Sequence, residues 1–319
     1  MDLPFIDAEA VRRHLDDASL VDALEAAHRQ PPPAAERLLL EQPGADGHSD
    51  AFLIWPAWQP GEALGIKLVT SFPANPERGE GLPTIQALYL LFDGENGRPL
   101  ALIDGTELTF WKTAADSALG ARFLARRDAR RLLMIGAGAL APALIRAHLA
   151  VRPGIEVVRI WNRTPEKAAA IASEVSGVDA AVAPDLEAES RLADVISAAT
   201  GATEPLIRGA WLKPGAHVDL VGGFSPKMRE ADDDVVRRAE IYVDSRWFTV
   251  GQAGDLTQPI AAGVIGPDDV RGDLFDLATG RVPGRTRSDA ITLFKNGGGA
   301  HLDLMTACHL MARIRAAQG

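Results

Sequence analysis

Three basic residues stand where solubility does not require them. Lys67 interrupts the apolar run GIKLVT (65–70), Lys112 lies in TFWKTAADSA beside Trp111, and Arg37 follows the break at Pro31, Pro32 and Pro33. An edge strand, or a snorkelling stem with its charge in water, can place a lysine in such a run. The other reading is that these cations line a cleft between two domains and bind a carboxylate. Paired cations of this kind suit an α-amino or α-imino acid. A second chemical signal lies in LLMIGAGALAPAL (132–144), which contains Gly136-x-Gly138-x-x-Ala141 between an apolar run and a helical pattern. Gly136 permits the tight turn, Gly138 lets backbone approach a pyrophosphate, and Ala141 allows close helix–strand packing. The amides and positive dipole end of the following helix complete a dinucleotide-phosphate site at Gly136, Gly138, Ala139 and Leu140.

The next strand ends in Trp161-Asn162-Arg163-Thr164, with no Asp or Glu to accept from a ribose 2′-hydroxyl. Arg163, helped by Asn162 and the Thr164 hydroxyl, would instead hold a 2′-phosphate, so NADPH is expected ahead of NADH. Thr200, Val221 and Gly222 follow later strand candidates, and ligands of such sheets bind beyond the carboxyl ends of strands. Thr113 follows Lys112 and is expected near the nicotinamide. The histidines, at 14, 28, 48, 148, 217, 301 and 309, show no H-x-x-x-H or H-E-x-x-H spacing and read as surface or packing residues. No G-x-S-x-G elbow supports a serine nucleophile. The single Cys308 excludes an internal disulfide and a multi-cysteine metal site, so no metal is expected.

Two kinds of pattern must position these groups. Residues 1–30 read as helices, the first capped by Asp7 and the second by Asp17 or Ser19, and the three prolines stop the second. From Leu38 to Ile103 the runs AFLIW (51–55), GIKLVT (65–70), IQALYLLFD (85–93) and PLALID (99–104) read as an antiparallel or mixed sheet. Turns are expected at Gly44–Gly47, Pro73–Gly81 and Gly94–Gly97. Thr106 or Thr109 then opens an Ala-rich helix reaching about Ala125. From Arg131, strands RLLMIG, EVVRIW, DAAVA, ADVISAA, AHVDLVG and EIYVD alternate with helices, which implies a doubly wound parallel sheet. A last helix, about 300–317, has too little neighbouring sequence to form a domain and is expected to pack back on the N-terminal half. The expected division is therefore 1–112 plus 292–319 as one discontinuous domain, with 113–291 as an inserted NADP-binding Rossmann domain.

The composition fits that plan. The 319 residues exceed one average domain, and 47% hydrophobic with 24% charged residues supports a large core and excludes a mostly disordered chain. A formal net charge of −10 disfavours a nucleic-acid partner. The start, Met1 to Asp7, lacks the pattern of a signal peptide, and no apolar window is long enough to span a membrane. With one cysteine, a reducing cytoplasm is the expected compartment.

Several strings together resemble the ornithine cyclodeaminase/mu-crystallin family over nearly the whole chain. They are GIKLVTSFPANPERGEGLPT (65–84), GRPLALIDGTELTFWKTAADSALGA (97–121), the Gly136 motif, WNRTPEKA (161–168), VGGFSPKMREAD (221–232) and ITLFKNGGGAHLDL (291–304). The resemblance implies a Rossmann domain inserted in a dimerisation and substrate domain, and a homodimer built through the latter. It implies substrate-carboxylate and catalytic roles for Lys67 and an early substrate arginine at Arg37. Thr84 and Asn296 become pocket residues on the resemblance alone, and WNRT is similar to the NADPH-binding mu-crystallin type. The chain departs from the family at Lys112, where the family carries arginine; charge is kept and the bidentate fork is lost. It departs again at Phe224, where ornithine cyclodeaminases carry an Asp after the Gly-Gly pair. Phenylalanine neither accepts a proton nor orients an amine, although a slipped alignment would leave Asp232 or Asp233 for that role. The resemblance therefore implies an NADPH-dependent reductase of a preformed cyclic imino acid, with Phe224 as an apolar wall for the ring. Δ1-Pyrroline-2-carboxylate is the expected substrate and Δ1-piperideine-2-carboxylate a second. The alternatives are an ornithine cyclodeaminase, an alanine dehydrogenase, or a non-enzymatic carrier of NADPH and a small acid.

Overall fold

The structure is a computed structural model and describes residues 3–44, 49–78 and 81–318. His48 and parts of the expected turns at Gly44–Gly47 and Pro73–Gly81 lie outside the described residues, as do Met1 and Asp2. Tertiary contacts divide the chain into two units. The first comprises Met1–Ala27, Pro31–Lys112 and Gly299–Gly319, and the second His28–Gln30 and Thr113–Gly298.

The first unit contains, in chain order, β1 (Phe5–Ile6), α1 (Ala8–His14), α2 (Asp17–His28), β2 (Ala34–Ala35), β3 (Leu38–Pro43), β4 (Ser49–Gln59), β5 (Ala63–Ser71), β6 (Ile85–Asp93), β7 (Pro99–Asp104) and the start of α3 (Gly105–Leu124). The sheet order is β1-β7-β6-β5-β4-β2, with β3 also on β4; every pairing is antiparallel except β1 with β7. Asp7 caps α1, accepting from the Ala10 amide at 2.8 Å. The cap of α2 is Asp16, whose Oδ1 accepts from the Ser19 amide at 2.9 Å, so neither Asp17 nor Ser19 has that role. Likewise Asp104 holds the first turn of α3 through the Glu107 amide at 2.7 Å, in place of Thr106 or Thr109. In both cases a carboxylate just ahead of the hydroxyl or acid chosen from sequence reaches an amide of the first turn.

In β5 the buried positions alternate as Ala63, Gly65 and Lys67, the period-two pattern of one sheet face. Lys67 thus occupies a core position of an internal strand, between Trp55 on β4 and Tyr89 on β6, which removes the edge-strand reading.

The second unit holds the rest of α3, then β8 (Arg131–Ile135), α4 (Ala141–Val151), β9 (Val157–Trp161), α5 (Pro165–Glu174), β10 (Asp179–Val182), α6 (Leu186–Leu192), β11 (Val195–Ala198), β12 (His217–Leu220), α7 (Asp233–Arg238), β13 (Ala239–Val243), α8 (Arg246–Thr249), α9 (Gly254–Ala261), β14 (Val270–Asp273), α10 (Leu274–Thr279) and β15 (Ile291–Lys295). Its eight strands are parallel throughout, in the order β10-β9-β8-β11-β12-β15-β13-β14, a Rossmann-type sheet. From β8 the chain turns one way to β9 and later the other way to β11. The crevice at that reversal is where such sheets bind ligands.

β15 corrects the expected boundary. Residues 292–295 pair with β12 and β13, so the return to the first unit falls between Gly298 and Gly299 and not at 291/292. The chain then enters α11 (Ala300–Gln318), which packs on β4 and β5 and buries Leu302, Asp303 and Thr306. No helix among the described residues is long and apolar enough to cross a membrane.

Candidate active site

In the first unit the Lys67 ammonium is buried, 2% exposed. Its Nζ donates to Oδ1 of Asp303 at 3.0 Å, lies 2.8 Å from Oδ2, and sits 4.4 Å from the centre of the Trp55 ring. The Arg37 guanidinium lies 4.6 Å from the same ring. Register explains the arrangement: Trp55 is directly opposite Lys67 across β4 and β5, and α11 brings Asp303 over that face. Burial is the main cause that pulls the Lys67 pKa down from 10.5 to about 8; the positive charges of Lys112 and Arg37 pull the same way, while Asp303 resists. Arg37, Lys67 and Lys112 are thus close enough to act on one another electrostatically, with Asp303 as the carboxylate on Lys67. Lys112 is itself 3% exposed. Thr84 lies just before β6, half-buried, and its carbonyl accepts from the Phe72 amide at 2.8 Å.

In the second unit the residues expected to hold a nucleotide lie at strand ends. Gly136 follows β8 at φ 102°, and its amide donates to the Trp161 carbonyl at 2.8 Å. A Cβ there would lie 2.5 Å from the Ala199 carbonyl oxygen, so backbone conformation and space both demand glycine. Gly138 is exposed with nothing within 4 Å of its missing Cβ, an open backbone position suited to a pyrophosphate. Ala139 is exposed and Leu140 half-buried, and no side chain caps the start of α4, which leaves the helix end for an anion. Arg163 and Thr164 are exposed beyond β9, and the Thr164 hydroxyl caps nothing in α5. Asn162 is used differently from expectation. Its Oδ1 accepts from the Ala137 amide at 3.2 Å and its Nδ2 donates to the Thr164 carbonyl at 2.9 Å, so it fastens the glycine turn to the end of β9.

Thr200, Val221 and Gly222 follow β11 and β12 as expected, and a side chain missed from sequence holds them. Glu230, fully buried, accepts from the Thr200 amide at 2.7 Å, the Thr200 hydroxyl at 2.8 Å and the Gly222 amide at 2.7 Å. The Glu230 amide in turn donates to Asp255 at 2.7 Å, and Lys295 lies 3.3 Å from Asp255. Burial is the main cause that raises the Glu230 pKa from 4.5 to about 7; Lys295 opposes it and Asp255 reinforces it. A Cβ on Gly222 would sit 2.0 Å from the Thr200 carbonyl oxygen, so these two loops touch backbone to backbone. Asn296 is buried, its Nδ2 donating to the Thr113 carbonyl and the Ser117 hydroxyl at 3.0 Å each. Phe224 is 68% exposed in this chain. Asp232 caps α7 and accepts from Gly209, and Asp233 pairs with Arg229, so both acids already have structural partners. His148 is a packing residue, paired with buried Asp219 at 3.1 Å.

Comparison with known proteins gives one consistent picture. The model of the "Ornithine cyclodeaminase/mu-crystallin family" matches residues 5–318. A Δ1-pyrroline-2-carboxylate reductase of Paracoccus denitrificans is 46% identical over 298 residues, covering 93% of this chain and 92% of that protein. The solved structure of a Thermococcus litoralis Δ1-pyrroline-2-carboxylate reductase, in complex with NADH and L-proline, superposes with a TM-score of 0.91 at 28% identity, covering 99% of this chain and 98% of the other. An archaeal alanine dehydrogenase dimer with bound NAD superposes at 0.88 with 27% identity over 100% and 98% of the two chains.

Proposed function

Because the chain belongs to the ornithine cyclodeaminase/mu-crystallin family, we propose that it reduces a cyclic imino acid, Δ1-pyrroline-2-carboxylate, to proline, with Δ1-piperideine-2-carboxylate as a second substrate giving pipecolate. The observation that carries this reading is the buried Lys67 amine between Asp303 and Trp55, with Arg37 and Lys112 beside it. The similarity to a pyrroline-2-carboxylate reductase along nearly the whole chain points the same way.

Lys112 and Arg37 supply positive charge for the substrate carboxylate, and Lys67 adds to it while protonated. An imine nitrogen accepts a proton as its carbon is reduced, and Lys67 Nζ is the donor we assign. A pKa of about 8 gives it both a proton to deliver near neutral pH and a short path back to the charged form. Asp303 keeps the ammonium aimed and favours its charged form, and the proton given up is replaced from solvent. A nicotinamide cofactor, when bound, supplies the hydride. Gly136 to Leu140 and the start of α4 would hold its pyrophosphate, and Glu230 fixes the Thr200 and Gly222 loops at the neighbouring strand ends. Arg163 and Thr164, exposed at the end of β9 with no carboxylate beside them in sequence, favour NADPH, with NADH used less well.

Phe224 stands where an amine-activating Asp would be needed, and Asp232 and Asp233 are held in a helix cap and an ion pair. That favours reduction of a preformed imine over ornithine cyclisation or amino-acid dehydrogenation. We place the enzyme in the cytoplasm as a homodimer. One cysteine suits a reducing compartment. Leu38, Leu39 and Leu40 on β3, with Ile85 and Leu88 on β6, are exposed apolar side chains of the first unit, as a subunit interface requires. The test is a substrate panel of pyrroline-2-carboxylate, piperideine-2-carboxylate, pyruvate with ammonia, and ornithine, each with NADPH and NADH. Oxidation of NADPH by the cyclic imines is expected, with no ammonia from ornithine; the opposite pattern reverses the assignment.

A further inference from the structure

The second unit contains a cavity of about 750 Å³ whose lining includes six arginines, at 122, 126, 127, 152, 285 and 287, and two aspartates, at 128 and 289. It lies at the amino ends of the parallel strands. Asp128 precedes β8, Pro214 precedes β12, and Ser288 and Asp289 precede β15. The glycine turn, Thr200 and Gly222 follow the carboxyl ends of β8, β11 and β12, so this cavity is on the opposite edge of the sheet from the nucleotide site.

Both acids are committed. Asp128 takes a two-point contact from Arg126 at 2.9 Å and 2.9 Å, and Asp289 one from Arg287 at 3.1 Å and 3.1 Å. The buried guanidiniums have another duty. Arg152 donates through Nη2 to the carbonyls of Ala121, Arg122 and Ala125, and Arg285 donates through Nε to that of Leu124, so together they cap the carboxyl end of α3. That capping accounts for the burial of Arg152 and the half-burial of Arg285, but among the described residues no carboxylate bonds to Arg152. It is 7% exposed, its Nε has no hydrogen-bond partner among the described residues, and the charges that perturb it are Arg122, Arg127 and Arg285. Like charges gathered around an open volume in a chain of net charge −10 are costly unless an anion neutralises them.

We propose that this cavity binds a small oligophosphate, pyrophosphate or larger. Guanidinium forks match phosphoryl oxygens in two-point contacts, and two linked phosphoryl groups can engage arginines contributed by different strand ends. A single carboxylate or orthophosphate offers too few acceptors to bridge them.

The test is calorimetric titration of inorganic pyrophosphate into the full-length protein saturated with NADPH, so that the nucleotide site is filled. Orthophosphate and citrate serve as parallel probes. Binding of pyrophosphate at least tenfold tighter than either, weakening steeply with added salt, is the expected result. The double variant Arg127→Gln/Arg287→Gln changes two exposed side chains and should keep its fold and its NADPH affinity while losing pyrophosphate affinity tenfold or more. Arg163→Asp, at the nucleotide end, should leave pyrophosphate affinity unchanged. Absence of pyrophosphate binding overturns the proposal. So does citrate binding as well as pyrophosphate, or affinity that falls with Arg163→Asp and not with the double variant.

Discussion

The carboxylate of Asp303 on α11 holds the Lys67 ammonium of β5 at 2.8 and 3.0 Å, with both side chains enclosed by protein. The pair keeps a proton on a buried amine that burial alone would strip. Replacing Asp303 by Asn removes the influence that supports the charged form, so the Lys67 pKa must fall further below about 8. The alkaline limb of the kcat/KM profile should move to lower pH in Asp303→Asn, and the protein should lose on the order of 3–5 kcal/mol of stability. An alkaline limb that stays in place would mean that another group controls it.

Lys67→Met removes both the proton and a carboxylate contact. Turnover should fall by a factor of about 10²–10⁴, the usual contribution of a positioned acid, while NADPH affinity is kept. Fluorescence titration of the cofactor alongside steady-state kinetics separates the two. A protein whose role is to carry NADPH and a small acid would show no turnover to lose.

Arg163→Asp tests the cofactor preference. Loss of a charge-assisted contact to a 2′-phosphate, and its replacement by repulsion, should weaken NADPH about 10–100-fold and leave NADH nearly unaffected. Equal loss for both nucleotides would remove Arg163 from 2′-phosphate recognition.

The two glycines of the nucleotide turn should separate stability from binding. Gly136→Ala meets the Ala199 carbonyl at a positive φ and should lower the melting temperature. At Gly138 an added methyl has open space, so Gly138→Ala should melt like the parent yet bind NADPH at least tenfold more weakly by obstructing the pyrophosphate. Unchanged NADPH affinity in Gly138→Ala would place the phosphates elsewhere.

Glu230 gives a pH dependence of stability with a definite sign. Its folded-state pKa, about 7, lies above the ordinary 4.5, so the folded protein holds that proton more tightly than the unfolded chain does. The stabilisation is complete below about pH 4.5 and is lost as pH rises through about 7. Glu230→Gln cannot titrate. The stability difference, parent minus variant, should therefore decline by on the order of 3 kcal/mol across that range, as read from denaturant midpoints. A flat difference would show that Glu230 stays ionised throughout.

The sequence made the ends of β6 and β7 legible, because apolar runs there stop at Gly94 and at the acid before α3. It also exposed Lys67, since a lysine inside a strand-like apolar run has few innocuous explanations. Its partner was hidden. Asp303 sits in a helix 236 residues away, and nothing in local spacing distinguishes it from a surface acid. Glu230 escaped notice for a similar reason, lying in a polar loop whose only signal is its length after Gly222. β15 was assigned to the wrong unit because the helix after it belongs to the first, and strand pairing with β12 and β13 is invisible in a single chain. The short helices α7 to α10 are too brief for periodicity to emerge; Asp232 and Asp273 cap α7 and α10, while α8 and α9 have no side-chain cap.

The return of α11 to the first unit also sets an order of assembly. At translation speeds of about 5–20 residues per second, Lys67 enters the growing polypeptide roughly 10–50 s before Asp303. Throughout that interval the amine has no native counter-ion, and the strands around it are without the helix that covers them. The first unit is therefore completed only after every strand of the second has been made, and a chain cut before α11 lacks the helix that buries Lys67.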